Sequence, residues 1–215
     1  MTLNSLKRWW TVAVATVVIC QAAIARTETE VAGAADIFTR NGVIGTFVLL
    51  DPTTDTLHVV NAGRAKQRFM PASTFKIANS LIGLDVGAVA SADEVLPFGG
   101  KPQRFKRWEQ DMNLRDAIKV SNVPVYQELA RRIGIERMRE GVKKLGYGNA
   151  EIGDVVDRFW LDGPLAISAI EQAEFLGRLA QDKLPVSADA VRAVKEITVL
   201  EQTDSYTLHG KTGWY

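Results

Sequence analysis

A chain of 215 residues, 47% hydrophobic and 24% charged, has room for one sizeable core or two small subdomains and the composition of a globular protein. A formal net charge of +1 excludes the strong field of a nucleic-acid or acidic-membrane binder. A single cysteine, Cys20, excludes a disulfide framework.

The first 25 residues read as a secretory signal peptide. Lys7 and Arg8 form the charged start, Thr11 to Ala23 the apolar stretch, and Ala23-Ile24-Ala25 an A-x-A cleavage site, with Arg26 beginning the mature chain. Cys20 lies inside that segment. The expected location is therefore the bacterial periplasm, without a stable membrane anchor after cleavage. Residues 26–215 are then one domain.

Thr46-Phe47-Val48-Leu49-Leu50-Asp51 reads as a strand, Pro52 to Asp55 as a turn, and Leu57 to Asn61 as the returning strand of an antiparallel hairpin. His58 sits on a strand face with no companion residues for a metal site. From Phe69 to Leu84 the apolar residues Ile77, Leu81 and Leu84 recur at helical spacing, with Ala78 and Ile82 on another side. A helix hydrophobic nearly all round is buried. Lys76 is the only charge between Arg68 and Asp85, and a buried ammonium either pairs or loses its proton. Ser73 projects one turn earlier on the same face. Pro71 suits a first helical turn, which places Ser73 near free backbone N–H groups.

The run Lys101-Pro102-Gln103-Arg104-Phe105-Lys106-Arg107-Trp108 mixes basic and aromatic residues. With no wider basic surplus it reads as a solvated loop and not a nucleic-acid patch. Leu114 to Val120 is helical. After Ser121-Asn122-Val123, Pro124 starts a helix through Val125, Tyr126, Leu129 and Ile133, stopped by Gly134. Ile135, Met138, Val142 and Leu145 repeat the spacing up to Gly146, with Arg and Glu on the solvent face. Ser168 and Glu171 form a capping box opening a helix through Ile170, Ala173, Leu176 and Leu179. A further helix spans about 187–194, and Tyr206 to Tyr215 is a strand. The class is α+β, with an antiparallel sheet built from both ends of the chain and an all-helical lobe inserted between them.

In chain order stand Ser73-Thr74-Phe75-Lys76, Ser121-Asn122-Val123, Tyr147-Gly148-Asn149, Phe159-Trp160-Leu161 and Lys211-Thr212-Gly213. This set resembles the penicillin-recognising serine enzymes, and its variant resembles the class D, oxacillinase-type serine β-lactamases. Gln172 to Leu176 also resembles the helix that follows the family's loop. The resemblance runs from about Phe47 to the end of the chain.

It implies a β-lactamase/transpeptidase-like fold and hydrolysis of β-lactam antibiotics through a serine acyl-enzyme. Ser73 is the implied nucleophile. Lys76 is the implied base, N-carboxylated by carbon dioxide or bicarbonate, with no other cofactor and no metal. Val123 keeps the surroundings of Lys76 apolar, and the Trp160 indole N–H donates to the carbamate. Ser121 relays a proton to the leaving nitrogen. Lys211 and Thr212 line the substrate carboxylate, Gly213 lets substrate approach, and the backbone N–H groups of Ser73 and Trp214 form an oxyanion hole.

The resemblance also implies further strands, a C-terminal helix and a substrate-binding arginine beyond Lys211-Thr212-Gly213. If 215 residues are the whole product, an incomplete domain of weak stability and little or no activity is expected; if they are part of a longer chain, a working enzyme is expected. The other readings are a penicillin-binding sensor domain, a cell-wall transpeptidase or carboxypeptidase, and an inactive fragment.

Overall fold

The computed structural model describes residues 26–31 and 33–214. The signal peptide read in residues 1–25, with Cys20, lies outside the described residues. Seven strands and eight helices follow in order. They are β1 (Thr27–Glu30), α1 (Ala35–Arg40), β2 (Phe47–Asp51), β3 (Thr56–Val60), α2 (Ala62–Lys66) and β4 (Arg68–Phe69). A 3₁₀ turn, Ala72–Phe75, then leads into α3 (Lys76–Asp85). The helical middle is α4 (Leu114–Lys119), α5 (Val123–Ile133) and α6 (Ile135–Leu145). The chain then forms β5 (Ile167–Ser168), α7 (Ala169–Ala180), α8 (Ala188–Ile197), β6 (Val199–Gln202) and β7 (Thr207–His209).

The expected hairpin is present. β2 and β3 pair antiparallel from Phe47 opposite Val60 to Asp51 opposite Thr56. β1, which no alternation in Thr-Glu-Thr-Glu announces, adds in parallel on the other edge of β3, giving the order β1-β3-β2. β4 and β5 form a two-residue ladder that joins Arg68 to Ser168 across a hundred positions.

The α+β class stands, but one particular of the expected sheet is met differently. Strands from the two chain ends do not share a ladder among the described residues. β7 pairs with β6, its neighbour in sequence, across a short loop. The expected strand from Tyr206 to Tyr215 is also shorter. The Gly210 N–H still donates to Thr198 O at 3.0 Å, and among the described residues Lys211 to Trp214 belong to no strand.

α3 is the axis of the core. Ile77, Ala78, Leu81 and Ile82 are all buried, and α5, α6 and α8 pack around them. Each such aliphatic side chain contributes about 1.5–3 kcal/mol by leaving water. α5 and α6 follow their periodicity closely. Val125, Tyr126, Leu129 and Ile133 are buried on one helix, and Met138, Val142 and Leu145 on the next, with Gly134 between them. The Arg and Glu residues of α6 lie outward, as with Arg139 and Glu136 at 2.8 Å. At the base of the site Phe75 meets Phe159 edge-on at 5.0 Å and Tyr147 at 5.5 Å, and Trp160 stacks on it at 5.5 Å.

Candidate active site

Ser73 lies in the 3₁₀ turn and Lys76 opens α3, so one helical turn separates them. The Lys76 ammonium nitrogen is 3.0 Å from Ser73 Oγ. Lys76 is 1% exposed, with its nitrogen 5.2 Å from the centre of the Tyr126 ring. No carboxylate pairs with it among the described residues. Its pKa is lowered from 10.5 to about 7, chiefly by burial and in smaller part by the Lys211 charge. A buried cation without a counter-ion is disfavoured, so the neutral amine with its free lone pair is accessible near neutral pH. Ala72, just before the nucleophile, holds φ at +47°, a conformation that costs a non-glycine residue about 1–2 kcal/mol.

The second wall comes from α5. Asn122 caps the helix, its side-chain oxygen accepting from Val125 N at 3.1 Å, and Pro124 fills the first turn where no N–H is needed. Val123 lies one turn before Tyr126 on the same face, the face beneath Lys76. Ser121, at the mouth of this helix, sits at φ +56°, again a left-handed conformation for a residue with a side chain.

The third wall is the loop after Tyr147-Gly148-Asn149. Gly148 has φ +55°, and a Cβ there would lie 2.2 Å from Ala166 O. Only glycine permits that approach. Asn149 then clamps the loop. Its side-chain nitrogen donates to Pro164 O at 2.8 Å, and its oxygen accepts from Ala166 N at 3.0 Å. The loop delivers Trp160, fully buried against Phe75, with an indole N–H that has no hydrogen-bond partner. Buried donors are almost always paired, so an unpaired one needs a reason.

Lys211, Thr212, Gly213 and Trp214 close the site. A Cβ on Gly213 would lie 2.9 Å from Thr74 Cγ2 and 3.1 Å from Pro71 O, so this glycine rests against the turn that carries Ser73. The Lys211 ammonium nitrogen folds back on Thr212 O at 2.9 Å, and burial lowers its pKa. A cleft of about 350 Å³ opens between Met70, Thr74, Gln172 and Trp214. A second, more apolar cavity of about 360 Å³ lies behind Lys211, between Ile77, Leu176 and Leu179; Thr74, next to Ser73 in the turn, lines both.

Of the site residues expected from sequence, Ser73 and Lys76 are in contact, Gly213 rests on the turn that carries Ser73, and Trp160 stacks on Phe75, whereas Ser121 and Val123 are placed by their position at the start of α5. Two further residues were not singled out from sequence. Tyr126 was counted only as a core position, although it underlies Lys76. Asn79, one turn after Lys76, donates to Tyr126 O at 3.1 Å and leaves its side-chain oxygen buried without a partner. A polar residue inside an otherwise apolar helix was the available signal. Among the described residues no group of three or more His, Cys, Asp or Glu could hold a metal ion, and no helix is long and apolar enough to cross a membrane.

The model of the penicillin-binding-protein transpeptidase domain matches residues 45–215. The crystal structure of FUS-1 (OXA-85), a class D β-lactamase from Fusobacterium nucleatum subsp. polymorphum, superposes with a TM-score of 0.81. It is 52% identical and covers 83% of this chain and 74% of that one. This chain belongs to the class D β-lactamase family. A class D β-lactamase from Bacillus subtilis superposes with a TM-score of 0.78 at 43% identity, covering 83% of this chain and 74% of that one. β-Lactamase OXA-5 of Pseudomonas aeruginosa is 45% identical over 177 residues, 82% of this chain and 66% of that relative. OXA-48 of Klebsiella pneumoniae is 44% identical, over 82% of this chain and 67% of the relative. The class D chain therefore spans about two thirds of the length of these curated relatives.

Proposed function

We propose that this chain acts on β-lactam antibiotics as a serine hydrolase, by way of an acyl-enzyme on Ser73. The observation that carries the reading is the 3.0 Å contact between Ser73 Oγ and a buried lysine whose pKa is lowered to about 7. A serine hydroxyl is a weak nucleophile until a base removes its proton, and Lys76 is the group within reach. As Ser73 Oγ bonds to the lactam carbonyl carbon, the hydroxyl proton leaves and negative charge grows on the carbonyl oxygen. The N–H groups of Ser73 and Trp214 receive that charge, and such a donor is worth about 3–4 kcal/mol in the transition state. Ser121 delivers a proton to the lactam nitrogen as the C–N bond breaks. Lys211 and Thr212 hold the substrate carboxylate, and water then releases the acyl group.

The surroundings of Lys76 fit N-carboxylation. A neutral amine adds to carbon dioxide, Val123 and Phe75 keep the pocket dry, and the unpaired Trp160 N–H is a ready donor for a carbamate oxygen. Carried on Lys76, that group supplies a carboxylate-like base for acylation and deacylation. Export to the periplasm through residues 1–25 completes the reading.

Intact mass of the full chain incubated with benzylpenicillin, together with turnover of a chromogenic cephalosporin, tests it. The expected result is an adduct on Ser73 followed by sustained hydrolysis. A permanent adduct without turnover favours a penicillin-binding sensor, and no adduct refutes the assignment of Ser73.

A further inference from the structure

The segment from Lys101 to Trp108 is held at two points that border the site. At one end the Trp108 indole N–H donates to Val120 O at 3.0 Å, and Asn122 Nδ2 donates to Trp108 O at 3.4 Å, fastening the loop beside Ser121. At the other, the Arg104 guanidinium lies 4.5 Å from the centre of the Trp214 ring, next to Gly213 and the turn of Ser73. Phe105 fills the space between, edge-on to Trp108 at 4.8 Å with Arg107 over its face at 4.9 Å. The loop therefore reaches from the start of α5 to Trp214, a residue that lines the cleft.

Its charge is one-sided. Lys106 pairs with Glu109 at 2.5 Å, whereas Lys101, Arg104 and Arg107 have no carboxylate within salt-bridge distance among the described residues. A guanidinium laid on an indole keeps its in-plane N–H donors free for a planar anion. In the proposed reaction Lys211 serves the carboxylate on the β-lactam ring system, which leaves Arg104 without an anion.

We propose that Arg104, held in place by Trp214, recognises a second carboxylate on the acyl side chain. The favoured substrates are then β-lactams with an anionic side chain. This inference rests on the reading of Ser73 as the acylated nucleophile.

The test compares acylation of the full chain by α-carboxybenzylpenicillin and by benzylpenicillin, which differ by that one carboxylate, followed over time by intact mass. The parent is expected to favour the carboxylated drug. Arg104→Ala is expected to lower the ratio of the two rates about three- to ten-fold, the span of a partly exposed charge-assisted contact. Arg104→Lys is expected to fall between, since it keeps the charge and loses the fork. Lys106→Ala removes one cation from the same loop and is expected to leave the ratio unchanged. An equal loss in Lys106→Ala, or an unaltered ratio in Arg104→Ala, overturns the inference while acylation itself stands. Absence of an adduct with either drug overturns the reading of Ser73 and this inference with it.

Discussion

Replacing Trp160 by Phe separates the packing of this side chain from its hydrogen-bonding capacity. The six-membered ring can still stack on Phe75 and meet Phe159, but the N–H is gone. Two effects oppose each other in carbonate-free buffer. Deleting a buried unsatisfied donor relieves about 1–3 kcal/mol. The smaller ring leaves a void on the order of 40 Å³, which costs about 1 kcal/mol at ~24 cal/mol per Å³. The variant is therefore expected to be as stable as the parent, or slightly more so, which is unusual for a fully buried tryptophan. With bicarbonate the order reverses. A carbamate on Lys76 would lose one charge-assisted hydrogen bond, worth about 1.5–3 kcal/mol or roughly 10- to 150-fold in its formation constant. Carbon-13 NMR with labelled bicarbonate reads the carbamate directly, and thermal unfolding with and without bicarbonate reads its stabilisation. The parent should show the signal and a rise in Tm that the variant lacks. Equal signals in the two chains would refute the role given to the indole, and absence of a signal in the parent would refute the carbamate.

The Lys76 ammonium is disfavoured in the folded chain, its pKa falling from 10.5 to about 7 through burial first and the Lys211 charge second. Between about pH 7 and pH 10.5 the unfolded chain binds this proton and the folded chain does not, so stability rises with pH across that window. Urea titrations at pH 7 and pH 9 should show the rise in the parent and a smaller one in Lys76→Met, and identical slopes would contradict the shift. Ser121→Gly should gain about 0.5–1 kcal/mol by relieving the positive φ, yet acylate 10²- to 10⁴-fold more slowly for want of a proton donor; unchanged acylation removes Ser121 from the mechanism. The Glu171 carboxyl is held at about 2, chiefly by the Arg68 guanidinium, and it also completes the cap of α7. Its contribution is present above about pH 4.5 and lost as the pH falls through about 2. Glu171→Ala should accordingly cost about 1–2 kcal/mol at pH 7 by chemical denaturation and progressively less toward pH 2.

Elements whose periodicity and caps agree were legible in the sequence. α5 carries Asn122, Pro124 and Gly134 at the positions that start and stop it, and α7 carries Ser168 and Glu171. For both helices local chemistry and burial point the same way. α8 was read to Val194 and continues to Ile197, because the Val191, Val194, Ile197 stripe keeps packing past the point where sequence alone marks an end. β1, α1, α2 and β6 were not read. Thr27–Glu30 owes its extended form to the edge of β3, and Val199–Gln202 owes its own to β7, so each is a strand by partnership and not by propensity. The same distinction explains the last segment. Thr207–His209 has a partner and is a strand, and Lys211–Gly213 takes its course from contact with the turn at Pro71–Thr74.

The site residues were legible for a different reason: Lys76 breaks a local rule, and the others stand in motifs that resemble those of one family, while the structure shows several of them to be locally unfavourable. A lysine inside an apolar helix and a serine at φ +56° each lower stability where they stand. So do an alanine at φ +47° beside the nucleophile and an indole N–H without a partner. Sequence exposes the first of these, since composition within a helix is visible; the backbone angles and the orphan donor need coordinates. Scattered through a fold, such features would be independent defects. Positive φ also occurs elsewhere in the chain, at Asp55, Asn61, Ala150 and Asp182. But Ala72 and Lys76 flank the Ser73–Phe75 turn, Trp160 stacks on Phe75, and Ser121 opens the helix whose Tyr126 underlies Lys76. Concentrating the unfavourable terms around one hydroxyl is the pattern expected where strain and desolvation serve chemistry. It also orders the consequences of change. Substitutions that relax these positions should raise stability and lower acylation together, whereas substitutions in the α5–α6 stripe should lower both.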